Sequence, residues 1–96
     1  MDLATLRSFY KDRILAIAAA NKVTNVRIFG SVARGDAGIN SDVDFLVTLL
    51  PEADLFDLGG LYMELRELLD CEVDVVPDGG IDPLMRPYIM QHIVAL

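Results

Sequence analysis

One cysteine, Cys71, is all the thiol the chain carries. An internal disulfide is therefore excluded, and the usage fits a reducing cytoplasm. Histidine is equally scarce: His92 stands alone near the C-terminus, among apolar residues, and reads as an ordinary surface or core side chain. Positive charge is short as well. Lys and Arg number 8 against 15 Asp and Glu, a net charge of −7 at pH 7. Proteins that grip a polynucleotide use clustered Lys and Arg, and here these residues are scattered. Direct nucleic-acid binding is not expected, whereas a small nucleotide neutralised by a divalent metal, or a basic protein partner, is compatible with the charge. No apolar run approaches the ~20 residues of a membrane span. The opening MDLATLRSFYKDR has neither the n-region nor the h-region of a signal peptide. Repeats, low-complexity tracts and Pro/Ser-rich linkers are all missing. A cytoplasmic chain with no membrane attachment is expected.

What is present reads as one domain over residues 1–96, with 53% hydrophobic and 24% charged residues. Leu3, Leu6, Tyr10, Ile14 and Ile17 recur at helical steps, and Asn21-Lys22 suits the end of that helix. Val26-Arg27-Ile28-Phe29 predicts a strand broken at Gly30, followed by a turn-rich loop with Gly35, Asp36, Gly38 and Asn40. Val43 to Val47 predicts a second strand, stopped near Pro51. Leu58, Tyr62, Leu65 and Leu69 mark a helix despite Gly59-Gly60, and Glu72 to Val76 predicts a third strand closed by Pro77-Asp78-Gly79-Gly80. Asp82-Pro83 has the form of an N-cap and first helical position, opening a last helix through Leu84 and Tyr88. The order α-β-(turn or short α)-β-α-β-α is that of an α/β (α+β) domain. The link between the first two strands is too short for a full crossover, which predicts a small mixed sheet flanked by helices. Met63, Met85 and Met90 are expected on helix packing faces, the acids of Pro51-Glu52-Ala53-Asp54 in a solvated loop, and Cys71 buried and inert.

Residues 30–45 read GSVARGDAGINSDVDF. Asp42 and Asp44 are two apart, so in a strand both side chains leave one face. Two carboxylates that close repel unless cations sit between them, and Mg²⁺ accepts one or two carboxylates together with substrate phosphates. The pair is therefore a candidate two-metal clamp for in-line attack at phosphorus, although an exposed strand face can carry two Asp for no such reason. Gly30-Ser31 ends the first strand, with Ser31 placed to cap a short turn through Val32, Ala33 and Arg34. Gly lets the backbone come close to a ligand and such a turn aims N–H groups outward, a seat for nucleotide phosphates. Arg34 adds a fork for phosphate oxygens. On this reading a side chain added at Gly30 obstructs the triphosphate and disturbs stability less. In Cys71-Glu72-Val73-Asp74-Val75-Val76 an acid sits among three valines, an expensive place unless it is paired or metal-bound. If the third strand lies beside the second, Asp74 reaches the same metals and can help take the acceptor's proton. Glu72, on the same face but at the strand's start, is the rival.

These residues carry a resemblance. G-S, ten residues, then D-x-D, with R-G inside and S-D before the pair, is similar to the signature of polymerase-beta-like nucleotidyltransferases. The wider pattern, GSVARGDAGINSDVDFLV…LFDLGGLYMELRELLDCEVDVV, resembles the minimal nucleotidyltransferases over about residues 24–90. Many of these are antitoxins of HEPN-domain ribonuclease toxins. The resemblance implies a two-metal Mg²⁺ site (Mn²⁺ a possible substitute) of Asp42, Asp44 and Asp74, with Gly30 and Ser31 on the phosphates of ATP. It also implies a HEPN partner whose tyrosine hydroxyl receives AMP. No room is left in 96 residues for an acceptor domain, so the acceptor is presented by a partner or bound in an open cleft. Two alternatives stand beside this one: an antitoxin that neutralises by binding alone, and a transferase acting on a small molecule or an RNA end.

Overall fold

The computed structural model describes residues 1–38 and 41–96; Asn40 of the expected loop lies outside them. Its elements are α1 (Leu3–Thr5), a π-helical turn (Leu6–Tyr10), α2 (Lys11–Ala20), β1 (Val23–Phe29), α3 (Gly30–Arg34), β2 (Val43–Leu49), α4 (Leu55–Leu69), β3 (Val73–Pro77), a 3-10 turn (Asp78–Gly80), α5 (Arg86–Gln91) and β4 (Val94–Ala95). The strands form one mixed sheet in the order β3-β2-β1-β4. β1 is antiparallel to both β2 and β4, while β2 and β3 run parallel. A bulge between Thr24 and Arg27 interrupts the β1–β2 ladder, with Asn25 at φ 51°. The mixed α/β architecture is the one the element order predicts.

Alternation along β2 sets the two faces of the sheet. Val43, Phe45 and Val47 are fully buried and pack with Leu6, Ile14 and Ala18 of the N-terminal helices and with Leu61, Leu65 and Leu69 of α4. Burying a side chain the size of Phe45 contributes roughly 1.5–3 kcal/mol. Asp44, Leu46 and Thr48 point the other way. Leu46 is fully buried but not part of the main core cluster.

Local chemistry explains most boundaries and corrects several expectations. Asp54 does not lie in an idle solvated loop. Its carboxylate accepts from Asp57 N at 2.9 Å while Asp57 accepts from Asp54 N at 3.0 Å, a reciprocal cap on α4. The last helix starts later than Asp82-Pro83 predicts. Asp82 accepts from Leu84 N and caps only a turn, and α5 opens at Arg86 with Pro87 in its first turn. β4 was not anticipated, because two residues give no periodicity to read. Arg7 holds its edge by donating to the carbonyls of Ala95 (2.6 Å) and Leu96 (3.3 Å), and Leu96 is buried. Met63, Met85 and Met90 are exposed rather than packed, at 61%, 51% and 44%. Cys71 is half-buried, and desolvation pushes its thiol pKa up, which keeps it protonated and unreactive.

The adjacent glycines of α4 have opposite roles. A Cβ on Gly60 would stand 2.6 Å from Asn21 Oδ1, and Asn21 is engaged as a donor to the Ile17 carbonyl and to Glu64. Gly60 thus lets α4 approach the end of α2. Gly59 meets nothing within 4 Å. Gly59→Ala is expected to stabilise the fold by about 0.5–1 kcal/mol through helix propensity. Gly60→Ala is expected to gain nothing or lose, because Asn21 must give way. Chemical denaturation of the two variants checks the contrast.

Candidate active site

The site is built at the end of β1 and the starts of β2 and β3. In the ladders Phe29 pairs with Asp44, and Asp44 with Asp74. Parallel pairing of β2 with β3 therefore sets the two carboxylates side by side on the face opposite the main core. Asp74 was expected in a costly buried setting, but it is exposed, so solvent relieves it. The rival Glu72 precedes β3 and is engaged elsewhere, accepting from Arg66 Nη2 at 2.7 Å. Asp42 lies just before β2 rather than within it, and is exposed. The expectation of two acids alternating along one strand therefore holds only at Asp44.

Electrostatics nevertheless couples all three acids. The pKa of Asp44 is pushed up from 3.8 to about 6, first by burial, then by the charges of Asp74 and Asp42, and Arg34 pulls it back. Such a cluster lacks positive charge. Its all-oxygen donor set is the kind that Mg²⁺ or Mn²⁺ accepts. Among the described residues no three His, Cys, Asp or Glu side chains already stand together as a metal-holding group. By donor chemistry the acids fit a hard divalent ion.

Gly30 abuts Asp44 directly. Its φ is +72°, and an added Cβ would land on the Asp44 carboxylate. The space opposite Gly30 is filled by this chain's own acid. That alters the expectation for a side chain there, which would strain the backbone and displace Asp44 before meeting any nucleotide. Ser31 is not a cap. It lies inside α3, whose N-cap is Phe29 with no side-chain bond, and its carbonyl accepts from Gly35 N at 3.0 Å and Asp36 N at 3.1 Å. Arg34, in the last turn of α3, donates from Nε to Asp36 at 3.2 Å and is half exposed. Gly30 is thus in contact range of Asp44, and Arg34 acts on the same carboxylate through its charge.

One polar group on this face escaped the sequence reading: Arg27, Thr48 and Asp78. Nothing in the order of residues signals it, since Asp78 reads as part of a closing turn. Only the sheet order brings the three together.

The sequence profile of the nucleotidyltransferase domain matches residues 11–96. A Methanocaldococcus jannaschii protein assigned as a protein adenylyltransferase is 38% identical over 84 residues, covering 88% of this chain and 90% of that protein. A solved structure assigned as a minimal nucleotidyltransferase superposes with a TM-score of 0.84 at 38% identity, covering 100% of this chain and 97% of that one. A Shewanella oneidensis MNT antitoxin complex with a tri-AMPylated HEPN toxin aligns with a TM-score of 0.66 at 20% identity, covering 88% and 66% of the chains. At that identity the likeness is one of fold. No helix among the described residues is long and apolar enough to cross a membrane.

Proposed function

Because the chain belongs to the nucleotidyltransferase domain family and is a nucleotidyltransferase, we propose that it is a cytoplasmic, Mg²⁺-dependent protein adenylyltransferase acting as an antitoxin. On this reading it transfers AMP from ATP to a tyrosine hydroxyl of a HEPN ribonuclease. The observation that carries it is the row of Asp44 and Asp74 across parallel β2 and β3, with Gly30 pressed against it. The acceptor class is supported by the 38% identical relative assigned as a protein adenylyltransferase, and the partner class by the HEPN toxin in the Shewanella oneidensis complex.

Asp42, Asp44 and Asp74 would hold Mg²⁺, which when bound offsets the charge of the triphosphate and acidifies a nearby hydroxyl. Gly30 and Ser31 seat the phosphates, and Arg34 reaches their outer oxygens. The acceptor hydroxyl attacks the α-phosphorus. The new oxygen–phosphorus bond forms as the bond to the pyrophosphate oxygen breaks, and Asp74 helps remove the hydroxyl proton. AMP added near a ribonuclease site brings negative charge and bulk, which opposes RNA binding as phosphorylation would.

The test is to incubate the protein with a HEPN ribonuclease, ATP and Mg²⁺ and to weigh the ribonuclease. A gain of about 329 Da per transferred AMP is expected, and the modified ribonuclease should stay inactive after this protein is removed. An unchanged mass, with ribonuclease activity returning on separation, would establish neutralisation by binding alone.

A further inference from the structure

A second polar group spans the same face of the sheet, apart from the acid row. Arg27 stands on β1, Thr48 on β2, and Asp78 immediately after β3. Asp78 Oδ2 accepts from Thr48 Oγ1 at 2.6 Å and from Arg27 Nη2 at 2.9 Å. The same guanidinium donates to Thr48 Oγ1 at 3.2 Å and, through Nε, to the Asn25 carbonyl at 3.2 Å. The Arg27 side chain is only 17% exposed and Asp78 36%, so these bonds are partly shielded from water, and charge-assisted bonds of this kind are among the stronger ones. The Thr48 hydroxyl, and then Arg27, hold the Asp78 carboxyl below its usual pKa.

The placement matters because β3 is an edge strand with five residues, paired on one side only. Its height against β2 decides whether Asp74 stands beside Asp44. The next row on this face after the acids is Arg27–Leu46–Val76, in which Arg27 belongs to the second polar group and Leu46 is fully buried. Arg27 and Val76 flank Leu46, and Asp78 is bound to Thr48 of the adjacent β2 and to Arg27 of β1 beyond it. The far end of β3 is thereby tied across β2 to β1, four residues beyond Asp74.

We infer that Arg27, Thr48 and Asp78 form a positioning clamp for the acid row, fixing Asp74 against Asp44 from the other end of the strand. This rests on the reading of those acids as the metal-holding, AMP-transferring site. None of the three clamp residues touches the reacting atoms; they act through β3. Loss of a residue that orients a metal ligand commonly lowers metal affinity or activity about 10- to 100-fold.

The experiment uses the full chain and Mn²⁺ as probe, with Asp78→Ala, Thr48→Val and the conservative Thr48→Ser. Four quantities are read: Mn²⁺ affinity without ATP, kcat and KM for ATP in transfer to the HEPN ribonuclease well below the melting temperature, and the melting temperature itself. Asp78→Ala and Thr48→Val are expected to weaken Mn²⁺ binding and lower kcat about tenfold. KM for ATP should stay within about twofold, because the phosphate seat is on α3, and Thr48→Ser should restore wild-type values. If both variants melt earlier yet keep Mn²⁺ affinity and kcat within about twofold, the cluster is only a stabilising contact and the inference fails. A wild type that neither binds Mn²⁺ nor transfers AMP overturns the functional reading first and the clamp with it, a pattern distinct from defects confined to the variants.

Discussion

Replacing Asp44 with asparagine is expected to lower nucleotidyl transfer by about three orders of magnitude or more, while the variant without metal becomes more stable than the wild type at neutral pH. The loss follows from the position of Asp44 at the centre of the row, paired with Phe29 on one side and Asp74 on the other. The gain follows from its pKa, pushed up to about 6 from 3.8 by burial, Asp74 and Asp42. A carboxyl whose pKa is higher in the folded than in the unfolded chain contributes stability that is fully present below the unfolded value. That stability is lost as pH rises through the folded value. The wild type should therefore lose this contribution between about pH 4 and pH 6, and asparagine, which does not titrate, should not. With solvent screening of a partly exposed group, the difference at pH 7 should be on the order of 1 kcal/mol. Melting curves in excess chelator at pH 4 and pH 7 check it, with the variant's advantage confined to the higher pH. Retained transfer, or a variant less stable than wild type at pH 7, would contradict the placement of Asp44 among mutually repelling acids. Full wild-type transfer in chelator would remove the metal from the reading altogether.

Why one part of the site is legible in the sequence and another is not has a physical basis. Asp44 and Asp74 are readable because each sits in a short apolar run, Val43-Asp44-Phe45-Leu46-Val47 and Val73-Asp74-Val75-Val76, where an acid demands a reason. Their neighbourhood then needs only that β3 lie beside β2, which it does. Gly30 is readable as a position without a side chain, but what fills the space is not. A phosphate and the chain's own Asp44 impose the same requirement for glycine, and only the observed fold separates them. Ser31 is misread as a cap because a Ser after a strand-ending Gly suits both a cap and a first helical turn. Asp54 errs the other way: a capping box with Asp at both ends lacks the Glu or Gln that usually marks one. The Arg27–Thr48–Asp78 cluster is invisible for a different reason. Its members come from three segments, and a hydrogen bond between residues 51 positions apart leaves no local pattern. Helix periods, likewise, locate α2 and α4 through their buried faces, whereas α5 is a six-residue helix with no buried residue and so has no apolar face to fix its start.

Substituting alanine at Gly30 is expected to disable the enzyme and to couple energetically to Asp44, whereas alanine at Gly35 should only destabilise it. Both glycines hold left-handed backbone, at φ +72° and +82°, so both substitutions incur strain of roughly 1–2 kcal/mol. Their surroundings differ completely. The new Cβ at Gly30 would fall on the Asp44 carboxylate, with the carboxyl carbon 3.1 Å away, whereas at Gly35 nothing lies within 4 Å. Gly35→Ala should therefore retain most transfer activity at temperatures where it is folded. Gly30→Ala must also turn the Asp44 carboxylate out of its row, with loss of turnover whatever happens to ATP binding. The two contributions can be separated by a double-mutant cycle on stability in chelator. With Asp44→Ala the obstructing carboxylate is gone, so Gly30→Ala should destabilise less in that background than in wild type, by about 1–2 kcal/mol. Gly35→Ala should show no such coupling, and additivity within about 0.5 kcal/mol is expected for it. Were Gly30→Ala equally additive with Asp44→Ala, the close approach of α3 to the acid would be wrong. Gly30 would then be required only by its left-handed backbone and by the room that the phosphates need.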